Sequence, residues 1–282
     1  MPWVSIALKI IGLTISEWFS LLGGLIVFGF LFGLLERETN SRMIRTFGIK
    51  GIYFTAWLGT PIHELSHVVM CLVFRHKVTE VKLFQAIGPD GTIGYVRHTY
   101  RPDRLYQRIG NLFIGIAPLI GGSLSIAFCA RLFLSSDVSL FSSDRANAPL
   151  FFSLLDLPSW VVLWKAVFAL FQSLFVVDHF SNVWFWAFML IALCVSSRMS
   201  LSPEDIRGAQ SGTGALLVLF LIVNTLSSLL DHGLYQQMMH GIARLNFIML
   251  LMLSLSLFFA FLIFLISSLL EFVIRYIKRR NS

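Results

Sequence analysis

Two histidines and a glutamate stand close together in the stretch "TPIHELSH", from Thr60 to His67. His63 and His67 are four residues apart, a spacing that places both on one face of an α-helix. Two imidazoles so placed can bind one metal ion, and Glu64 can then act as a general base on water held there. The pattern H-E-x-x-H is typical of zinc metalloproteases, in which zinc acidifies the attacking water. We therefore predict that His63 and His67 bind zinc and that Glu64 is catalytic.

The surroundings of this motif strengthen the prediction. Apolar residues flank it, "GIYFTAWLG" before and "VVMCLVF" after. Ionisable side chains at membrane depth are costly and mark functional sites. Pro61 precedes the motif and permits two interpretations. It either interrupts a longer helix, leaving the Trp57 carbonyl without its partner, or begins a helix that Thr60 caps.

A third zinc ligand must come from elsewhere in the chain, because catalytic zinc has three protein ligands and an open position. The stretch "SLSPEDIRGA" also has a purely structural explanation. Ser202 suits an N-cap, Pro203 the first helical position, and Asp205 the third position of a capping box. The residue types alone leave six candidates near apolar segments: Asp178, His179, Asp205, Asp231, His232 and His240.

The composition indicates an integral membrane protein. Hydrophobic residues make up 56% of the 282 residues and charged residues only 13%, against about 25% in soluble domains. The mean hydropathy is +0.78. The net charge of +7 comes from loops and the C-terminus, where it indicates membrane orientation and contact with anionic lipid and not nucleic-acid binding.

We predict an all-α polytopic membrane protein that forms one integral membrane domain over residues 1–282. About six segments have the length and apolarity of transmembrane helices. The stretch 159–177 is ambiguous, because Lys165 and Gln172 interrupt it and an interfacial helix would fit. The six predicted spans are 18–35, 51–74, 109–134, 181–197, 213–230 and 244–274.

The basic residues predict an orientation. Segment 75–108 and the C-terminal tail are both rich in Lys and Arg, so both should face the cytoplasm. An even number of spans must then separate 109–134 from 244–274, which favours an interfacial 159–177. Segment 36–50 would face outward.

A β-hairpin is predicted within 76–100. "KVTEVKLF" and "TIGYVRHTY" are β-branched and partly alternating, and "GPDG" between them is a turn signal. We expect this hairpin to lie against the cytoplasmic side of the membrane.

The order of these features resembles the site-2 protease family of intramembrane zinc metalloproteases, in its compact bacterial branch without a PDZ domain. The resemblance rests on "TPIHELSHVVMCLVFRHKVTEVKLF", "GTIGYVRHTYRPDRLYQRIGNLFIGIAPLIGG" and "SSRMSLSPEDIRGAQSG", over roughly 50–130 and 195–215. It implies Asp205 as third zinc ligand beside His63 and His67, a membrane-embedded or membrane-adjacent protein substrate, and the bacterial inner membrane. Where the family has Asn-Pro-Asp-Gly or Leu-Asp-Gly, this chain has "SPEDIRG".

Two other functions are compatible with the motif. The chain could be a catalytically inactive zinc-binding membrane protein that binds a partner helix. It could also be a transporter whose histidines handle an ion or protons, although transporters usually show an internal repeat and none is visible here.

Several further residues have structural interpretations. Glycines and Asn224 are expected in helix contacts, Pro118 at a kink, Cys71 in packing, and Asn111 at a helix mouth facing water. The glycines are Gly110, Gly115, Gly121 and Gly122.

Overall fold

The computed structural model describes residues 2–88, 91–134, 157–229 and 232–280. Within these ranges the chain is almost wholly helical and has one antiparallel β-hairpin, in agreement with the predicted fold class. The helices are α1 (Pro2–Phe47), α2 (Tyr53–Val73), α3 (Leu105–Gly115), α4 (Ala117–Phe133), α5 (Leu157–Leu174), α6 (Val183–Ser196), α7 (Pro203–Leu229) and α8 (His232–Arg280); the strands are β1 (Lys77–Lys82) and β2 (Tyr95–Thr99).

Several helices are long and apolar enough to cross a membrane, which is compatible with an integral membrane protein. Four qualify singly: Ile10–Phe47, Leu157–Leu174, Pro203–Leu226 and His240–Arg280. Helices α3 and α4 together add a fifth candidate, bent by 60°. Two predicted spans are not among these candidates. The span 51–74 corresponds to α2, which carries the polar residues of the motif. The span 181–197 corresponds to α6, whose 14 residues are about 21 Å long and too short for the bilayer core of about 30 Å.

The count of six spans does not fit the direction of the first and last long helices. Helices α1 and α8 lie side by side and run parallel in one constant register. Asn246 donates a hydrogen bond to the Ser20 carbonyl, and the Arg45 guanidinium meets Glu271 at 2.7 Å. If both helices cross the membrane, parallel directions require an odd number of crossings. The sequence predicted an even number.

The same contacts correct the predicted orientation. Arg42 and Arg45 both pair with Glu271, so segment 36–50 lies at the same end of the bundle as the basic tail. The prediction that 36–50 lies opposite the tail is therefore wrong. Basic segment 75–108 follows the C-terminal end of α2, whereas segment 36–50 precedes its N-terminal end. Lys and Arg therefore accumulate at both ends of the bundle, and their distribution does not indicate which end is cytoplasmic.

Helix α5 corresponds to the ambiguous stretch 159–177, and its length and composition also allow a membrane span. It is continuous over 18 residues and apolar enough to cross a membrane. One face is buried, with Leu170 and Leu174 at 0% exposure, while Trp164 on the opposite face is 71% exposed. The ring of Phe171 in α5 packs edge-on against the ring of Phe258 in α8. Lys165 and Gln172 are also exposed on this helix, and its length and overall hydropathy are those of a candidate membrane span.

The predicted hairpin is present, and its connecting segment lies against α2. Strands β1 and β2 pair antiparallel, with Lys77 opposite Thr99 and Lys82 opposite Tyr95. The connecting segment turns back along α2, where the Tyr53 hydroxyl accepts a hydrogen bond from the Ile87 amide at 2.9 Å. The hairpin therefore runs beside α2 from its C-terminal end towards its N-terminal end.

The predicted packing role of the four glycines is confirmed. Gly121 allows α4 to approach Ser66 of α2, and Gly122 faces Met199. Gly110 packs against Phe74, and Gly115 against the Asp205 main chain. A Cβ at any of these positions would collide with its neighbour, so small residues bring the elements of the site together.

Candidate metal centre

Helix α2 holds both histidines of the motif on one face. The Nε2 atoms of His63 and His67 lie 3.3 Å apart. Pro61 lies inside α2, eight residues after its first residue, so it does not begin the helix and Thr60 is not a cap. Of the two interpretations, the correct one places Pro61 inside a longer helix, and α2 is continuous through it from Tyr53 to Val73.

The orientation of His67 depends on a proline in another helix. Its Nδ1 donates a hydrogen bond to the Ile114 carbonyl at 2.8 Å. In a regular helix that carbonyl would accept from the amide four residues later, but residue 118 is Pro118 and has no N–H. The same proline sits at the 60° bend between α3 and α4, which confirms the predicted kink. The bend thus leaves a carbonyl for the imidazole.

His63 is oriented from a different element. Its Nδ1 donates to the carbonyl of Arg198 at 2.7 Å, just beyond the end of α6. The Arg198 guanidinium is in turn held by Glu36 of α1 at 2.9 Å, and the Ser200 hydroxyl donates to the other Glu36 oxygen. A buried ion pair from α1 therefore fixes the main chain that positions this imidazole.

These two hydrogen bonds determine the protonation of both rings. A carbonyl only accepts, so each Nδ1 carries the proton, and in the neutral imidazole the lone pair is on Nε2. Two lone pairs then point into one space between α2 and α7. This is the arrangement that metal-binding histidines commonly have.

Asp205 completes the group from the first turn of α7. Its Oδ1 lies 3.3 Å from His67 Nε2, and its Oδ2 lies 3.9 Å from His63 Nε2. The same side chain accepts from the Ser202 amide at 2.8 Å, and its own amide donates to the Ser202 hydroxyl at 3.1 Å. The capping box is therefore present, and its carboxylate also faces the two imidazoles. The sequence offered these roles as alternatives, whereas the structure combines them.

The three side chains fit a tetrahedral metal ion of the size of zinc. Their ligand atoms lie within 4.8 Å of one another. For bonds of 2.0–2.1 Å at tetrahedral angles, neighbouring ligand atoms should be about 3.3 Å apart. The distance between the two imidazole nitrogens meets that value, as does the distance from His67 Nε2 to Asp205 Oδ1, while Asp205 Oδ2 lies 3.9 Å from His63 Nε2. Among the residues that the structure describes, no other group of three His, Cys, Asp or Glu side chains is so placed.

The other candidate ligands are elsewhere or outside the description. Asp178 is exposed in the short turn Val177–Ser181, and His179 bonds the Leu174 carbonyl there. His240 does not belong to the group. Asp231 and the His232 side chain lie outside the described residues.

Glu64 lies beside this group and faces the hairpin. It is buried, at 6% exposure, and lines the same cavity as the two histidines and Asp205. Gly94, just before β2, comes so close that a Cβ there would lie 3.0 Å from Glu64 Oε1. The sequence did not single out Gly94, since no turn signal or spacing distinguishes it from other loop glycines.

The cavity over the site has a volume of about 800 Å³. The three potential ligands and Glu64 line one wall, and residues 91–98 of the hairpin line another. Glu36, Arg198 and Glu204 add charged groups to the lining. A segment of polypeptide could therefore lie between the hairpin and α2.

Three smaller predictions have clear outcomes. Asn111 is buried at 5% exposure and donates to the Ser211 hydroxyl at 2.8 Å, so it is not solvated at a helix mouth. Cys71 is fully buried and outside the metal group, which agrees with a packing role. Asn224 donates to Glu17 of α1 at 2.8 Å, which confirms an interhelical hydrogen bond.

Comparison with protein-family models, curated proteins and solved structures finds no match for this chain. The resemblance to site-2 proteases therefore stays a prediction from the motifs. The geometry above stands independently of it.

Proposed function

We propose that this chain is a zinc metalloendopeptidase that hydrolyses a peptide bond in a membrane-embedded or membrane-adjacent protein. One observation carries the proposal. His63, His67 and Asp205 converge in a largely buried position, and Glu64, one residue from the first of them, lines the same cavity. A site that only held metal would not need a buried glutamate beside it.

Each residue of the site would have a separate role in the hydrolysis. His63, His67 and Asp205 would hold zinc, which when bound supplies a Lewis acid that acidifies water and polarises a carbonyl. Glu64 takes the proton of the attacking water and later transfers it to the leaving amine nitrogen. The carbonyls of Arg198 and Ile114 keep the two imidazoles in one tautomer.

The hairpin supports the choice of a peptide as substrate. Strand β2 pairs with β1 along one edge, and the described sheet has just these two strands. Its other edge is free to pair with an extended peptide, and residues 91–98 line the cavity. A helical substrate would have to unwind before its scissile amide could lie there, because its own hydrogen bonds hide the amide.

The surroundings of the protein follow from the same proposal. We place it in a bacterial inner membrane by the resemblance, and we place its C-terminus at the cytoplasmic face because the tail is basic. The tail residues Arg275, Lys278, Arg279 and Arg280 would then meet anionic lipid. Segment 36–50 would lie at that same face, since Arg45 contacts Glu271.

The test combines zinc content with turnover. Purified wild type should contain one zinc per chain and cleave members of a fluorogenic peptide library. Glu64→Gln should retain the zinc and lose turnover, whereas the double variant His63→Ala, His67→Ala should lose the zinc. Glu38→Gln changes an exposed glutamate of α1 and is the matched control, with both properties unchanged.

The outcomes separate the rival functions. Zinc at full occupancy with equal turnover in wild type and Glu64→Gln would indicate a catalytically inactive zinc protein. Full zinc occupancy in the double histidine variant would refute the assignment of His63 and His67 as zinc ligands. Zinc or proton flux through vesicles carrying Glu64→Gln would favour a transporter.

A further inference from the structure

A second pair of histidines lies next to the first, at the base of the hairpin. His76 follows the end of α2 and is buried, at 4% exposure. His98 belongs to β2 and lines the cavity. Their Nδ1 atoms lie 3.1 Å apart, and the His76 ring stacks on Tyr100 with centroids 5.2 Å apart. The proposed hydrolysis uses neither ring.

The hydrogen bonds of this pair have one consistent direction. His76 Nε2 lies 2.9 Å from the Gln107 carbonyl, which only accepts, so His76 carries its proton on Nε2. The neutral His76 Nδ1 is then an acceptor, and His98 Nδ1 must donate to it. The lone pair of a neutral His98 is consequently on Nε2.

His98 Nε2 is free to contact a ligand. It has no hydrogen-bond partner within the part of the chain that the structure describes. Alternation along the strand places Gly94, Val96 and His98 on one face, and all three line the cavity. The side chains of Tyr95 and Arg97 both contact Glu80 of β1, although these two residues also border the cavity.

The pair orients His98 and does not conduct protons. The chain of hydrogen bonds ends at the Gln107 carbonyl, which cannot take up a proton and pass it on. Burial lowers the pKa of His98, and the neighbouring His76 lowers it further. Burial also lowers the pKa of His76. Both rings are therefore neutral near pH 7, and His98 presents an acceptor to the cavity.

We propose that His98 is a substrate-binding residue whose Nε2 accepts a hydrogen bond from a main-chain N–H of a peptide in the cavity. This inference rests on the proposed peptidase function. His76 is then a positioning residue that acts through His98. Since every peptide carries main-chain amides, the contact does not depend on the side chains of the substrate.

The strand geometry also predicts where on the peptide the contact falls. Gly94 lies against Glu64, and His98 is four residues further along β2. At about 3.3 Å per residue, the two positions are about 13 Å apart. A peptide extended along β2 would meet His98 about three to four residues from the bond that is hydrolysed. Short peptides would not reach it.

Two substitutions at His98 distinguish the hydrogen-bond acceptor at Nε2 from the bond between Nδ1 and His76. The amide of His98→Asn reaches the Nδ1 position and can still bond His76, but it has nothing at Nε2. The longer His98→Gln places an amide oxygen near the Nε2 position. With long fluorogenic peptides, we expect His98→Asn to raise KM about three- to tenfold at nearly constant kcat, and His98→Gln to restore most of the affinity.

Peptide length provides the internal control. Peptides shortened from the end that reaches His98 should become insensitive to His98→Asn, whereas shortening the other end should leave the effect of the substitution unchanged. His76→Phe, which keeps a ring beside Tyr100 but has no acceptor, should raise KM for long peptides. His76→Asn should preserve part of the affinity. Glu38→Gln should not change KM for any length.

A measurement that does not depend on turnover completes the test. In ¹⁵N-histidine spectra of the metal-free protein near pH 7, His98 should carry its proton on Nδ1 and none on Nε2. A proton on Nε2, or an equal KM for wild type and His98→Asn on long peptides while Glu64-dependent cleavage persists, overturns this inference alone. Absence of Glu64-dependent cleavage from wild type overturns the proposed function and this inference with it.

Discussion

Pro118 and His67 lie on different helices, and the missing N–H of the proline supplies the carbonyl that His67 bonds. The Ile114 carbonyl accepts from His67 Nδ1 at 2.8 Å because no amide hydrogen is available at position 118. The bend between α3 and α4 and the tautomer of a potential metal ligand therefore have one cause.

This relationship predicts the effect of Pro118→Ala. The new amide would compete with His67 for the Ile114 carbonyl, so the imidazole would lose its fixed orientation. We expect zinc affinity to fall about 10- to 100-fold, the usual cost of losing such a hydrogen bond. Competition with a fluorescent chelator measures it. Pro158→Ala, at the start of α5, should leave the affinity unchanged; an equal loss in both variants would refute the argument.

The two roles of Asp205 can be separated by substitution. Asp205→Asn keeps a side-chain oxygen for the cap but removes the negative charge, so zinc binding and cleavage should both collapse while the helix content persists. Ser202→Ala removes the other half of the capping box and should cost about 1 kcal/mol of stability while retaining zinc. The zinc content and the thermal unfolding midpoint of the two variants distinguish the ligand role of Asp205 from its capping role. Wild-type zinc content in Asp205→Asn would assign the third ligand elsewhere.

Gly94 should matter to turnover and not to metal binding. A Cβ at this position would lie 2.8 Å from Glu64 Cγ and 3.0 Å from its Oε1, so Gly94→Ala must displace the glutamate or the hairpin. We expect kcat to fall about 10- to 100-fold at full zinc occupancy, since small misplacements of a reacting group are costly. Gly33→Ala, in open space on α1, is the control and should have wild-type kcat.

The parallel arrangement of α1 and α8 predicts the accessibility of three exposed positions. Single cysteines replacing Lys50 and Lys278 should react with a membrane-impermeant maleimide from the same side of the membrane. A cysteine replacing Arg101 should react from the other side. Labelling of Lys50→Cys and Lys278→Cys from opposite sides would contradict the contact between Arg45 and Glu271.

Features that depend on neighbouring residues in the chain could be predicted from the sequence. Contacts between residues that are distant in the chain could not. The spacing of His63 and His67 requires only a helix, and the hairpin requires only two short strands and a turn. Asp205 is far from both histidines in the chain, so residue types alone left six candidates. Nothing in the sequence indicated that Ile114 and Arg198 would supply the carbonyls that orient the imidazoles.

The prediction that segment 36–50 lies opposite the basic tail failed for a physical reason. Counting Lys and Arg assumes that one face of the bundle collects them, but Arg42 and Arg45 are paired with Glu271 of α8, and other basic residues follow the far end of α2. Helix α6 was counted as a span from its apolar composition, although its 14 residues are too few. Charge and hydropathy do not report which helices are neighbours.

Because the Asp205 carboxylate both accepts from the Ser202 amide and faces the two imidazoles, local folding and metal loading become thermodynamically linked. A ligand that binds the folded arrangement selectively stabilises it. Occupying the site should therefore slow amide hydrogen exchange in the first turn of α7. The degree to which the first turn of α7 is ordered would then depend on the concentration of free metal.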